Sequence, residues 1–326
     1  LEPGEVPEEP ARPWQPEKYP SWPRRLLWGI RDLPGTIATH LPRAIQGFKK
    51  KRKVNEAYRQ AGKPPPPSAS VMPQTPINKA LSHGRTFVCD TVPLDTIKHV
   101  RATYGVTIND VFLSCCAAAV RQLLLDKDYN PAQGPLVAGI PISGSRPDSM
   151  RGIGNFATAD FTWLHADIED PVERLRATSK SAAEMKEHIE AARGADINTL
   201  VQLAPPWLAK LIRWGIREQK GKFGIFGNVV LSNVPGPKKP LYFEHCKVDN
   251  WFSIGQVFDG TSLNMTLWSY TGNANLCILA DRQVLPDGWV LFEYFRDELN
   301  RLQALAETET STPAKTETAK VEATEH

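Results

Sequence analysis

Asn109 and Asp110 follow Thr107 at the start of a long apolar run. Short polar side chains in a helix's first turn accept orphan backbone N–H groups, so capping is one reading of the pair. Thr107 with Asp110 three residues on is a capping box with Asp in place of Glu. The other reading gives Asn109 a positioning role toward a ligand, and the two are compatible. A second cluster is Leu231-Ser232-Asn233-Val234-Pro235-Gly236-Pro237, which closes a strand-like run. As structure it is a Pro-Gly turn. As a site, Pro235 and Pro237 stiffen the loop and Gly236 lets a ligand approach the backbone. A third cluster sets Ser143, Arg146, Arg151 and Asn155 among Gly144, Gly152 and Gly154, in a loop between two strands. Such a loop is either simply flexible or a place where guanidinium groups meet phosphate.

A histidine is the usual general base near neutral pH. The candidates are His40, His83, His99, His165, His188, His245 and His326, and no two are adjacent. His188 reads as part of a charged helix beside Glu187 and Glu190, and His326 lies in the tail. His165 and His245 are more readily structural than catalytic, so none is assigned as a base. There is no HExxH, no CxxC pair and no Walker or dinucleotide glycine signature. The five cysteines are odd in number, which favours core thiols in a reducing compartment over disulfides or zinc.

From about Ile77 the pattern is mixed α/β. Strands are expected at 85–90, 136–142, 156–165, 227–234, 241–248, 250–258, 263–270 and 274–280. The last two form a hairpin around Thr271-Gly272-Asn273. Helices are expected at 93–103, from Thr107 through about Leu124, at 170–192, at 196–219, and from Pro286 to about Ala306. Irregular alternation of this kind argues an α/β (α+β) two-layer sandwich with a mixed sheet. The domain reading is a Pro-rich and basic linker over 1–76, a globular domain over 77–306, and a disordered tail over 307–326.

Ahead of that domain the composition shifts. Fifteen of the 28 prolines precede residue 77, and Pro64–Pro67 form a stiff spacer. Residues 24–63 carry eleven Lys/Arg against Asp32 and Glu56. Pro34 and Pro42 are expected to divide this stretch into short helical pieces. Trp28 and neighbouring Leu and Ile residues, with Lys49-Lys50-Lys51-Arg52-Lys53, suit either a solvated basic helix or an interfacial element on anionic lipid. The overall charge of +3 implies no polyanion partner by itself, and no nucleic-acid role is expected. No run of 18 apolar residues exists, so no membrane-spanning helix is expected.

Taken in order, Thr107-Ile108-Asn109-Asp110-Val111, Pro141-Ile142-Ser143, Gly154-Asn155, the Leu231–Pro237 turn and Asp281-Arg282 resemble the C-terminal part of the bacterial wax ester synthase/diacylglycerol acyltransferase family, over about residues 85–305. The basic and proline-rich segments are similar to the linker after HHxxxDG in actinobacterial triacylglycerol synthases. The resemblance implies the CoA-dependent acyltransferase fold of chloramphenicol acetyltransferase. It also implies esterification of diacylglycerol or a fatty alcohol by a long-chain acyl-CoA, with acyl-CoA as co-substrate and no resident cofactor or metal. The family's HHxxxDG histidine is absent from these 326 residues. The expected base therefore lies in an N-terminal part, and this chain alone is expected to be inactive. Asn109 would hold that histidine or the reacting carbonyl, and Asp110, Pro235 and Pro237 would be structural. Ser143, Arg146, Ser232, Asn233 and Gly236 would meet the CoA. Trp28 and Lys49, Lys50, Lys51, Arg52 and Lys53 would meet a membrane or lipid-droplet surface, with the enzyme cytoplasmic and peripheral. A non-catalytic lipid-binding or scaffold module of the same fold is the alternative, and a basic membrane-surface adaptor a third reading.

Overall fold

A computed structural model describes residues 15, 18–62, 66–143, 157–191, 210–211, 214–215, 218 and 226–311. Eight strands are described: β1 (Arg85–Pro93), β2 (Leu136–Ser143), β3 (Ala157–Leu164), β4 (Val229–Pro235), β5 (Tyr242–Phe243), β6 (Cys246–Lys247), β7 (Leu263–Tyr270) and β8 (Asn273–Asp281). The described helices are α1 (Trp22–Gln60), α2 (Leu94–Tyr104), α3 (Ile108–Leu125), α4 (Pro171–Ala191) and α5 (Gly288–Ser311).

Six strands form one mixed sheet in the order β1-β8-β7-β4-β2-β3. β4 runs parallel to both β2 and β7, and the other pairs are antiparallel. Period-two alternation puts Val88, Leu276, Met265, Leu231 and Ala138 on one face, where they join a single core with the helices. The expected α/β two-layer architecture is therefore present. The other face is mixed, with Asn264, Thr266 and Asn275 set among Val230, Trp268 and Tyr270. Segment 241–258 covers it through Asn275 Nδ2 donating to Trp251 O at 2.8 Å, Tyr270 Oη donating to Val248 O at 2.8 Å, and Trp251 stacked on Trp268.

α3 is apolar enough to cross a membrane by length and composition. It is instead the core helix. Phe112, Cys116, Ala119, Val120 and Leu124 are buried, and its small residues let the sheet and α5 approach closely. Burial pushes the Cys115 and Cys116 thiols up.

Several elements depart from expectation. α1 is one 39-residue helix running through Pro34 and Pro42. Each proline removes an intrahelical hydrogen bond. Both lie on exposed positions, where water can take the freed carbonyls. The expected strand at 241–248 is reduced to the two-residue β5–β6 ladder. Segment 250–258 is not a regular strand, because its carbonyls bond to side chains of the sheet rather than to a neighbouring strand. α5 starts two residues after Pro286 and runs five residues past Ala306, with Thr308 and Thr310 back-bonded to the Ala304 and Ala306 carbonyls. The helix expected over 196–219 falls largely outside the described residues, as does the tail beyond Ser311.

At the amino ends of β4 and β7, buried side chains clasp the segment 73–85. Asn228 accepts from Val137 N at 2.9 Å and donates to Pro73 O at 2.8 Å and Asn78 Oδ1 at 2.7 Å. Asn78 Nδ2 donates to Asn228 O and Gly260 O. Asp281 accepts from Ser82 N, Gln283 N and the Arg85 guanidinium.

Candidate functional site

The site is at the opposite end of the sheet, where the parallel strands β2 and β4 finish. Their ladder consists of Ala138↔Val229 and Gly139↔Val230. Beyond it β4 stays paired on β7, while β2 stays paired on β3. The two strands separate at their carboxyl ends, the position at which open α/β sheets bind ligands.

Thr107 caps α3 here. Its Oγ1 accepts from Asp110 N at 3.2 Å, and Asp110 Oδ2 accepts from Thr107 N at 2.9 Å. Ser179 of α4 also donates to Asp110 Oδ2 at 3.0 Å. The buried Asp110 thus closes the helix end and ties α3 to α4. Asn109 stands between them and takes no part in the capping. It is half-buried, and among the described residues its side chain makes no hydrogen bond. It lines a groove of about 360 Å³ with Ile140, Pro141, Ile142, Met185 and Ile189, and with the exposed Lys186 and Glu190. The groove offers an aliphatic floor and, next to a helix N-terminus, an amide without a hydrogen bond among the described residues, where a developing negative charge is favoured.

Alternation along β4 puts Asn233 on the helix side with Leu231, and Ser232 on the opposite side with Val234. Both are half-buried, and neither side chain makes a hydrogen bond among the described residues. They therefore face different layers rather than one pocket. Gly236 packs tightly on β7. A side chain there would collide with Ser269 O and the Trp268 indole, and Gly236 N already donates to Ser269 Oγ at 3.2 Å. The close approach that requires glycine here is to the β7 backbone and the Trp268 indole. Pro235 ends β4 opposite Ser269, and Pro237 is half-buried in the following loop. Ser143 ends β2. Arg146, Arg151 and Asn155 lie outside the described residues.

The sequence reading missed the groove's floor. Met185 and Ile189 are one helical turn apart on α4, and Ile140 and Ile142 are alternate residues on β2. Each spacing signals an apolar face, but neither says that the two faces meet beside Asn109.

Among the described histidines none lines the groove. His188, read above as part of a charged helix surface, is buried. Its Nε2–H donates to Asn55 Oδ1 of α1 at 2.7 Å, Tyr58 packs edge-on, and Asp160 lies 3.9 Å from Nδ1. His165 shares a 2.9 Å hydrogen bond with Ser181 Oγ and has Asp167 3.8 Å away. Ser181 is buried within α4 and lines neither groove, so the trio is a packing contact. Burial lowers the His165 pKa, against the carboxylates of Asp167 and Glu184.

α1 presents Leu26, Ile30, Leu33, Ile37, Leu41, Ile45 and Phe48 outward as one stripe at three- and four-residue spacing, with Trp28 beside it. Lys49, Lys50, Arg52 and Lys53 are exposed and Lys51 is half-buried. A second groove, about 390 Å³, runs along the basic end of this helix between Phe48 and Arg59.

The family comparisons agree with this architecture. The "Wax ester synthase/diacylglycerol acyltransferase catalytic domain" model matches residues 2–112, and the "WS/DGAT C-terminal domain" model matches residues 153–303. A Mycobacterium tuberculosis protein named as a candidate diacylglycerol O-acyltransferase is 38% identical over 298 residues, 91% of this chain and 63% of the relative. The O-acyltransferase WSD of Acinetobacter baylyi is 29% identical over 230 residues, 70% of this chain and 48% of the relative. The solved wax ester synthase/diacylglycerol acyltransferase of Marinobacter aquaeolei VT8 superposes with a TM-score of 0.58 at 27% identity, covering 80% of this chain and 57% of that one. The sandwich is the CoA-dependent acyltransferase fold. The chain belongs to the wax ester synthase/diacylglycerol acyltransferase family. It spans between about half and 63% of the length of these relatives.

Proposed function

We propose that this chain contributes to a long-chain acyl-CoA O-acyltransferase that esterifies diacylglycerol, giving triacylglycerol, or a fatty alcohol, giving wax ester. The observation that carries the reading is Asn109. Its side chain makes no hydrogen bond among the described residues and lines an aliphatic groove, while its neighbours do the capping. In the reaction a base takes the alcohol proton and the alkoxide oxygen attacks the thioester carbonyl. The carbonyl oxygen becomes an oxyanion, then the C–S bond breaks and the departing thiolate takes the proton. An amide donor aimed at the oxyanion stabilises the step that decides the rate. We assign the base to the family's HHxxxDG histidine, which these 326 residues do not contain.

Joined to an N-terminal segment that carries HHxxxDG, the chain should make triacylglycerol from palmitoyl-CoA and dioleoylglycerol. No ester from the joined protein would reject the acyltransferase reading. Ester from the 326 residues alone would reject the need for that base.

The same reading puts the enzyme on a cytoplasmic membrane or lipid-droplet surface, where its substrates are. The support is the outward apolar stripe of α1 beside Trp28 and Lys49–Lys53. Each cation near an anionic surface is worth about 1 kcal/mol. Changing Lys49, Lys50, Lys51, Arg52 and Lys53 to Gln should release the protein from phosphatidylglycerol vesicles at low salt. Equal sedimentation of the two proteins would rule out this surface as the anchor.

A further inference from the structure

The proposed acyl transfer uses none of the five cysteines, and two of them face each other. Cys89 on β1 and Cys277 on β8 are direct partners in the antiparallel ladder. At one end of that ladder Leu94 N donates to Gly272 O, and at the other Arg282 N donates to Gly84 O. Both bonds keep the register that pairs Cys89 with Cys277, and each lies an odd number of residues from Cys89. Hydrogen-bonded and non-hydrogen-bonded pairs alternate, so Cys89 and Cys277 are a non-hydrogen-bonded pair. Such partners share a face, with Cα atoms about 4.5 Å apart. That spacing lies inside the range of about 4.4–6.8 Å that a disulfide spans. The two thiols are already joined by a side-chain hydrogen bond.

Their surroundings differ. β1 is at the edge of the described sheet, and Cys89 is half-buried there. Cys277 is one strand further in, opposite Thr266 of β7, and is buried. Burial, with Cys89 adding to it, pushes the Cys277 thiol up to about 12. Cys277 is therefore a poor first attacker, and Cys89 is the sulfur that a small oxidant meets. Of the others, Cys115 and Cys116 are buried in α3, and Cys246 is exposed on β6.

We infer that Cys89 and Cys277 form a reversible redox site, at which a low-molecular-weight disulfide converts the two thiols into a cross-strand bridge tying β1 to β8. The Cys89 thiol gives up its proton and attacks one sulfur of the small disulfide. The S–S bond of the small disulfide breaks, and the first small thiolate leaves and takes that proton. Cys277 then attacks the Cys89 sulfur, and the second small thiolate departs with the Cys277 proton. Two protein thiols are oxidised by two electrons, and one small disulfide is reduced to two thiols. The bridge encloses residues 89–277, so it constrains the unfolded chain across α2, α3 and α4. The inference stands apart from the acyltransferase reading.

The probe is hydroxyethyl disulfide, added to the folded 326-residue chain carrying Cys246→Ser, which removes the exposed thiol. Two of the four remaining thiols should be lost with no small adduct retained, and digestion should yield a peptide pair joining Cys89 to Cys277. Dithiothreitol should restore both thiols, and the oxidised protein should melt above the reduced one. Adding Cys277→Ser should trap the small thiol on Cys89, and adding Cys89→Ser should leave Cys277 unmodified. Either variant decides the order of attack where the other fails to fold. A lasting adduct on Cys89 in the protein that keeps Cys277, or a bridge between any other pair, overturns the inference. So does a folded protein that keeps all four thiols, or a bridge that lowers the melting temperature.

Discussion

At the amino ends of β4 and β7, Asn78, Asn228, Asp259 and Asp281 are tied into turns and backbone, and none of their polar atoms is left orphaned. At the carboxyl ends of β2 and β4, Asn109, Ser232 and Asn233 make no side-chain hydrogen bond among the described residues. Residue types are similar at the two ends. What differs is whether the fold itself uses them. Amides spent on the fold stabilise it, and amides held back at a separating pair of parallel strands are available to something that arrives. Asn109 and Asp110 show the same contrast between adjacent residues.

The contrast can be broken first at its paired end. Asn228→Ala would strand Val137 N, Pro73 O and Asn78 in a buried site. Each abandoned group costs about 1–3 kcal/mol, so urea unfolding should show a loss of about 3 kcal/mol or more. A loss below about 1 kcal/mol would mean that the clasp is not what holds segment 73–85. Next in size is Asp110→Ala, which removes the capping box and the Ser179 contact. It should cost about 1–2 kcal/mol, read as a lower melting temperature. Unchanged melting would move Asp110 out of the stabilising group.

The smallest effect concerns His165, which follows β3 at the paired end. Burial lowers its folded pKa below the ordinary 6.5. The unfolded chain therefore binds the proton first. Stability present above about pH 6.5 is lost as pH falls through that value toward the lowered one. The wild type should lose more stability than His165→Gln between pH 7.5 and pH 5.5. Parallel pH curves for the two proteins would contradict the buried, neutral assignment.

The chain made its sheet legible because β2, β7 and β8 are short apolar runs bounded by turn residues. Thr271 and Gly272 both adopt positive φ in the β7–β8 turn, where Thr271-Gly272-Asn273 marked a hairpin. The α3 start was legible because Thr107 and Asp110 sit at capping-box spacing. The continuity of α1 was not, since two prolines argue locally against it and only solvent exposure allows them. Nor was the burial of His188. Its partners Asn55 and Asp160 are far away in sequence, and the local view shows Glu187 and Glu190. The groove failed to show for the same reason, because it exists where α4 and β2 meet. The packing of Gly236 on Ser269 and Trp268 was not legible either, because sequence shows that glycine is present, not which atoms crowd it.

Asn109→Ala, made in the chain joined to an HHxxxDG-bearing segment, tests the central claim most directly. Turnover of palmitoyl-CoA with dioleoylglycerol and the melting temperature are measured on the same preparation. Loss of an oxyanion contact costs about 100-fold in rate, while an unpartnered half-buried amide contributes less than about 1 kcal/mol to stability. The account predicts a kcat about 100-fold lower with near-wild-type melting. Wild-type turnover in the folded variant, or a loss of melting temperature that matches the loss of activity, would contradict it.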